Sequence, residues 1–221
     1  MNIGIVGAGF IGQAVSRLLL NAGHRVMIAN SRGPHTLYSL KAALGGIETG
    51  DVAQACAFGD IILLAIPFSH YHRLPVTCFA EKIVIDAGNY YPQRDGRIPA
   101  LDEHQTTTSE LLAAHLTSAT VVKALNAILA ADLVKDARPA DASDRRALPI
   151  AGDDAKAKAR TSRLLDDIGY DAVDAGTLGE SWRFERARPA YCIALNKTEL
   201  SQLLYTTQRY VDLPDTRWNT D

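Results

Sequence analysis

The chain has 221 residues, 47% of them hydrophobic and 22% charged, with 23 Lys and Arg against 25 Asp and Glu for a net charge of −2. That length holds one large domain, or a nucleotide-sized domain with a smaller companion, and the apolar fraction excludes a disordered tail. The near-neutral balance argues against a phosphate-tracking nucleic-acid binder, and the longest apolar run, Ile61 to Phe68, falls far short of the roughly 20 residues that span a bilayer.

In chain order, Ile3–Val6 is short, apolar and β-branched, and Gly7-Ala8-Gly9-Phe10-Ile11-Gly12 breaks it. Ile11, Val15, Leu18 and Leu19 then recur at helical spacing until Gly23 stops them. Arg25–Ala29 is a second strand ending in the polar turn Asn30-Ser31-Arg32-Gly33-Pro34, and Thr36–Leu44 predicts a helix closed by two glycines. Asp51 caps a short helix to about Ala57. Asp60–Ile66 and Lys82–Asp86 are continuous apolar strands, as expected where both faces of a parallel sheet are covered. Residues 90–108 read as loop. Ser109 caps a helix to about His115, followed by a strand at Thr120–Lys123 and a helix over Ile128–Val134. Residues 135–146 form a charged connection in which Arg145-Arg146 reads as solvated. Leu148–Ala151 and Asp171–Asp174 are strands, with an amphipathic helix at Asp153–Ile168 between them. Ala190–Tyr205 puts Ile193, Leu200, Leu203 and Leu204 on one helical face, which must pack on something. The alternation is that of an α/β, doubly wound Rossmann-type sheet binding NAD(P). We expect residues 1–123 to form the nucleotide-binding domain and residues 124–221 a small, mostly helical C-terminal portion.

The glycine motif has chemical content because it follows a strand and opens a helix. Gly7 permits the tight turn, Gly9 lets a pyrophosphate approach the backbone, and Gly12 lets the helix close on the strand. The helix N-terminus then offers unpaired N–H groups to the phosphates. An NAD-selective site ends its second strand in Asp or Glu, which holds the ribose 2′-hydroxyl. Here Asn30, Ser31 and Arg32 stand there, with His35 near. A guanidinium fork and a serine hydroxyl suit a 2′-phosphate, so the expected cofactor is NADP(H). The bland alternative is that Arg32 is a solvated loop arginine.

Four ordered segments, Gly4 to Gly12, Ala29 to Arg32, Ile83 to Asn89 and Val121 to Asn126, resemble those of the NADPH-dependent reductases of the deazaflavin coenzyme F420. They are also similar to the cytosolic domain of the six-transmembrane metalloreductases. A fifth, Ala151 to Asp154 running on to Asp174-Ala175-Gly176-Thr177-Leu178, extends the likeness to most of the chain. The resemblance implies hydride transfer between NADP(H) and coenzyme F420 or a flavin. It places Gly7 with Ala8, Gly9, Phe10, Ile11 and Gly12 on the pyrophosphate and Ser31 with Arg32 on the 2′-phosphate. It puts Ala65, Ile66 and Pro67 along the path to the nicotinamide, and Lys123, Ala124 and Asn126 beside it. It also implies a homodimer. Leu125 stands where the family commonly has an aromatic residue, which leaves the acceptor open.

Hydride transfer between two flat heterocycles needs little acid–base machinery, and no nucleophile or triad is visible. The candidates for a catalytic role are His70, in a polar insertion directly after a strand, and Asn126, whose amide can hold a carboxamide or ring carbonyl. The simpler reading of His70 is a plain surface histidine. Lys123 either orients a ribose or anionic tail, or is an edge lysine protecting a strand. Trp182, Arg183 and Arg186 either form a platform for the acceptor or anchor the last helix or a dimer contact. No metal site is expected: the histidines lack ligand spacing, and Cys56, Cys78 and Cys192 are isolated. With no signal-peptide pattern at the N-terminus, the expectation is a reduced, cytoplasmic protein acting on a small molecule, with neither nucleic acid nor membrane as partner. The alternatives to the F420 or flavin reductase are a ferric reductase working through a flavin, and a non-catalytic NADPH sensor.

Overall fold

A computed structural model describes residues 1–214; residues 215–221, the end of the expected C-terminal portion, lie outside the described residues. The first strand, β1 (Asn2–Val6), is buried beyond its first residue and sits in the middle of an eight-stranded sheet. It is followed by α1 (Phe10–Asn21), β2 (Arg25–Ala29), α2 (Tyr38–Leu44), β3 (Glu48–Gly50), α3 (Val52–Phe58) and β4 (Ile61–Leu64). Next come β5 (Ile83–Asp86), the single turns α4 (Pro92–Asp95) and α5 (Pro99–Asp102), α6 (Thr108–His115), β6 (Thr120–Lys123) and α7 (Ala130–Lys135). The chain continues through β7 (Ala147–Gly152), α8 (Ala155–Asp167), β8 (Asp171–Asp174) and α9 (Lys197–Thr206). The strand order is β3-β2-β1-β4-β5-β6-β7-β8. Strands β1 to β6 pair in parallel, β7 runs antiparallel to β6, and β8 is parallel to β7. This is the expected doubly wound α/β fold. Its sheet runs on without a break past residue 123, because β7 joins β6 through Val122–Gly152 and Lys123–Ala151.

The strand period of two explains the layering. On β4, Ile61 and Leu63 face a core shared with Val15 and Leu19 of α1, Leu133 of α7 and Leu165 of α8. Ile62 and Leu64 face the other side, with Cys56 of α3, Phe79, and Leu112 and Leu116 beside α6. Each such fully buried Ile or Leu contributes about 1.5–3 kcal/mol. A strand this apolar on both faces is stable only in the middle of a covered sheet, and that places the ends of β1 and β4 side by side under the glycine turn.

Several elements differ from expectation, each for a local reason. The predicted helix at Thr36–Leu44 is split into a 3₁₀ turn at Pro34–Leu37 and α2, since Pro34 at its start favours the tighter turn. The cap of α6 is Thr107, in a capping box with Glu110, and Ser109 is instead buried inside the helix's first turn. Residues 90–108 hold two single helical turns, each opened by a proline. The helix predicted over Ala190–Tyr205 begins only at Lys197, because Asn196 and Glu199 form a capping box. Leu200 and Leu204 of that helix are buried against β7 and β8, whereas Ile193 lies before it. Arg145 and Arg146 are not solvated. They are buried in ion pairs with Asp166 and Asp171 and with Asp132 and Asp136, and so clamp α8 and α7 to the start of β7.

Candidate functional site

Two cavities open along the carboxyl ends of the parallel strands and share Gly9 and Ala65 to Pro67 as a common wall. That wall is built by the glycine turn. Gly7 has φ +121° and donates its N–H to Ala29 O at 2.9 Å, tying β1 to β2. A Cβ there would run into the carbonyl of Ala65, and one at Gly12 would run into the carbonyl of Gly7. Gly7 and Gly12 are therefore demanded by the fold. Gly9 is different: its φ is −76°, open to any residue, and a Cβ would meet nothing within 4 Å. It is the N-cap of α1 and offers no side chain, so the first N–H groups of that helix face the shared wall without a cap.

The first cavity, of 460 Å³, lies beyond the end of β2 and is lined by Asn30, Ser31, Arg32, His70 and Arg73. Asn30 is spent on the turn: Oδ1 accepts from Arg32 N at 3.0 Å and Nδ2 donates to Thr36 Oγ1 at 2.8 Å. Ser31 and Arg32 are exposed, and the Arg32 guanidinium has no partner among the described residues. His35 is exposed in the 3₁₀ turn but does not line this cavity. His70 was expected near the reacting end of a dinucleotide. It stands here instead, because the 3₁₀ turn Phe68–Arg73 after β4 folds toward β2. Arg73, one turn on from His70, adds a second cation that sequence reasoning missed, although its i+3 spacing was a usable signal.

The second cavity, of 330 Å³, is lined by Phe10 and Ile11, by Ala87 to Asn89 at the end of β5, and by Leu125, Asn126 and Tyr191 among others. Leu125 has φ +62°, a left-handed conformation rare for such a residue, which turns Asn126 in toward Asn89. Asn126 Nδ2 donates both hydrogens, to Phe184 O and to Asn89 Oδ1, each at 3.1 Å. The backbone carbonyl of Phe184 can only accept, which fixes the orientation of the amide. Oδ1 is left as a buried acceptor without a partner among the described residues. An acceptor in that state is unfavourable unless a donor reaches it.

The opposite wall is aromatic and cationic. The hydroxyls of Tyr91 and Tyr191 lie 2.6 Å apart. The guanidiniums of Arg94 and Arg186 lie 4.7 and 5.3 Å from the Tyr91 ring centre. Arg94 also donates to Asn89 O at 2.8 Å. Burial works against the charge on Asp95, but Arg94 and the N–H groups of Tyr91 and Ser69 hold its carboxyl below the usual range. Burial pushes the Tyr191 hydroxyl far up, so it stays protonated at any working pH. Tyr91, Arg94 and Tyr191 were not foreseen; the two tyrosines are 100 positions apart and meet only through tertiary packing.

Four of the expected cofactor contacts, Gly12, His35, Lys123 and Ala124, line neither cavity. Lys123 and Ala124 are both fully buried. Lys123 is not at an edge: β7 covers β6, and its ammonium is turned inward onto Asp86, Gly88 O and Thr108 Oγ1. Trp182 and Arg186 line a third cavity of 270 Å³ that shares no residue with the other two. Arg183 packs over the Trp182 ring, pairs with Glu180 and donates to Leu204 O at 3.0 Å, so it anchors α9.

Comparison with known proteins gives these cavities a context. Residues 2–90 match the family described as NADP oxidoreductase, coenzyme F420-dependent. The metalloreductase STEAP3 of Rattus norvegicus is 29% identical over 185 residues, 83% of this chain and 35% of that protein. The chain thus spans about a third of the length of that curated relative. Among solved structures, a hypothetical protein of Sinorhizobium meliloti superposes with a TM-score of 0.78 at 28% identity, covering 89% of this chain and 96% of the other. A candidate F420-dependent NADP-reductase of Arthrobacter sp. FB24 follows with a TM-score of 0.68 at 26% identity, covering 80% and 85%.

Proposed function

We propose that this chain, whose residues 2–90 match the family described as NADP oxidoreductase, coenzyme F420-dependent, is an NADP-dependent oxidoreductase that passes hydride between NADP(H) and a flat tricyclic acceptor, a deazaflavin or a flavin. The observation that carries this reading is the pair of cavities meeting over Gly9. One has the unpaired Arg32 at its far end, and the other has the orphaned Asn126 Oδ1. The residues fit the dinucleotide at three points: cations for a 2′-phosphate, an open glycine under a pyrophosphate, and a buried acceptor for a carboxamide N–H. The cofactor, when bound, supplies the hydride from C4 of its nicotinamide.

In this reading the residues divide by position. Ser31, Arg32 and Arg73 hold the 2′-phosphate, and the uncapped start of α1 takes the pyrophosphate. Asn126 accepts from the carboxamide N–H at Oδ1, and so sets which ring face meets the acceptor. Ile66, Pro67 and Ile128 exclude water from that face. Tyr91 and Tyr191, with Arg94 beside them, give the acceptor an aromatic wall with a cation, which suits a ring system that gains negative charge on reduction. His70, at the 2′-phosphate end, adds a hydrogen bond there and takes no part in hydride transfer.

The likeness to STEAP3 favours a flavin as the second candidate acceptor, with ferric ion reduced downstream of it. The test is the rate of NADPH oxidation, followed by nicotinamide absorbance, with coenzyme F420 or a flavin as acceptor. Turnover with either supports the proposal, and the faster one identifies the acceptor. No turnover with both refutes it.

A further inference from the structure

Asp86 at the end of β5 and Lys123 at the end of β6 are side by side in the sheet, both fully buried. Replacing such an ion pair by apolar side chains is often neutral or stabilising, so stability alone does not account for it. The pair is saturated. Lys123 Nζ donates to Asp86 Oδ2 at 3.0 Å, to Gly88 O at 2.6 Å and to Thr108 Oγ1 at 2.9 Å. Asp86 accepts in addition from the hydroxyl of Tyr71, from Ser109 Oγ at 2.6 Å and from Gly88 N at 2.9 Å.

Two chains of bonds leave this centre and converge on one side chain. In the first, both backbone polar groups of Gly88 are pinned, which fixes Asn89 next to it. Asn89 Nδ2 donates to Asn126 O at 3.0 Å, and its Oδ1 accepts from Asn126 Nδ2. In the second, Thr108 Oγ1 accepts from Lys123 and donates to Glu185 Oε1 at 2.6 Å, while Thr108 N binds the same oxygen at 3.0 Å. Glu185 follows Phe184, whose carbonyl takes the other Asn126 hydrogen. Both groups that hold the Asn126 amide, Asn89 and the Phe184 carbonyl, thus adjoin a residue tied to Lys123 directly or through Thr108.

We propose that the Asp86–Lys123 pair positions Asn126: it fixes the side-chain amide so that Oδ1 faces the nicotinamide carboxamide, making Lys123 and Thr108 positioning residues that touch no ligand. This rests on the reading that the nicotinamide occupies the second cavity. A centre with all its bonds made has one low-energy arrangement, so the ring is oriented before the acceptor arrives.

Thr108→Val tests this with little change of shape, because it removes the hydroxyl that links Lys123 to Glu185 and leaves the ion pair in place. Thr108→Ser keeps the hydroxyl and serves as the rescue. The readouts are hydride-transfer kcat, the fluorescence of bound NADPH, and the Kd of 2′,5′-ADP, which fills only the first cavity. Thr108→Val is expected to lower kcat roughly 10- to 100-fold and to change the emission of bound NADPH. Its Kd for 2′,5′-ADP stays that of the wild type, and Thr108→Ser behaves as the wild type throughout. A Thr108→Val protein that loses only thermal stability, with kcat and emission unchanged, overturns the inference. A wild-type protein that binds 2′,5′-ADP but shows no nicotinamide emission change overturns the functional reading and this inference with it.

Discussion

Substituting Gly9 by alanine separates what the fold needs from what the cofactor needs. In the free protein the added Cβ meets nothing within 4 Å, and φ of −76° suits any residue. Two opposed terms act on stability. Restricting the unfolded chain favours alanine by about 0.4–1 kcal/mol. Alanine is a poorer N-cap than glycine by a similar amount, roughly 0.5–1 kcal/mol. The net change is within about 1 kcal/mol of zero. The bound state is another matter. A methyl at this point keeps a phosphate oxygen beyond hydrogen-bond reach of the N–H groups at the start of α1. Losing one charge-assisted bond costs about 1.5–3 kcal/mol, or roughly 10- to 150-fold in Kd. Gly12→Ala is the contrast, because its Cβ strikes the backbone of Gly7 and prises α1 from β1; overpacking of this kind destabilises by about 1–3 kcal/mol. The assays are urea unfolding of both variants and titration with NADPH by fluorescence. If Gly9→Ala binds NADPH as tightly as the wild type, no pyrophosphate lies on Gly9 and the reasoning fails. It also fails if Gly9→Ala is as unstable as Gly12→Ala.

Three further outcomes are expected. Arg32→Ala raises the Kd of NADPH roughly tenfold or more at low salt and leaves that of NADH unchanged, since only the former carries a 2′-phosphate. Arg73→Ala adds to the effect, and equal losses for the two dinucleotides would contradict the assignment. Asn126→Ala lowers kcat by roughly 10- to 100-fold while the Kd of 2′,5′-ADP holds, because the ring loses its orientation and the adenosine end does not; a variant with wild-type kcat would remove Asn126 from the site. Burial pushes the thiol of Cys56 up to about 12 and that of Cys192 up to about 11. Because the reactive thiolate exists only near or above the pKa, both resist iodoacetamide at pH 8 in the folded protein, and mass mapping of the alkylated chain checks it. Rapid labelling of either before unfolding would contradict the raised thiols of buried Cys56 and half-buried Cys192.

How much of this was legible beforehand depended on the range of the interaction. The glycine turn was readable because strand, turn and helix are contiguous and two of its three spaced glycines, Gly7 and Gly12, have a steric reason in the fold. The apolar runs of β4 and β5 gave away a sheet covered on both faces. Asn30 to Arg32 were readable as the end of β2, and the structure leaves Arg32 free to act. Lys123 was misread because a lysine at the end of a strand looks like an edge residue until β7 is known to cover it. His70 lines the first cavity and not the second, which a polar insertion does not declare, since nothing local says which way its 3₁₀ turn will fold. The last helix was drawn too long, since apolar spacing outweighed the capping pair Asn196 and Glu199. Tyr191 meets Tyr91 across 100 residues, and no local pattern announces such a contact.

The central claim is a geometric one: a single dinucleotide spans both cavities, with its 2′-phosphate at Arg32 and its carboxamide at Asn126. A crystal structure of the protein with NADP⁺ measures this directly. The account predicts the 2′-phosphate within hydrogen-bond distance of Arg32, the pyrophosphate over Gly9, and the carboxamide nitrogen on Asn126 Oδ1. A nicotinamide lying outside the second cavity, or a 2′-phosphate away from Arg32, would contradict it.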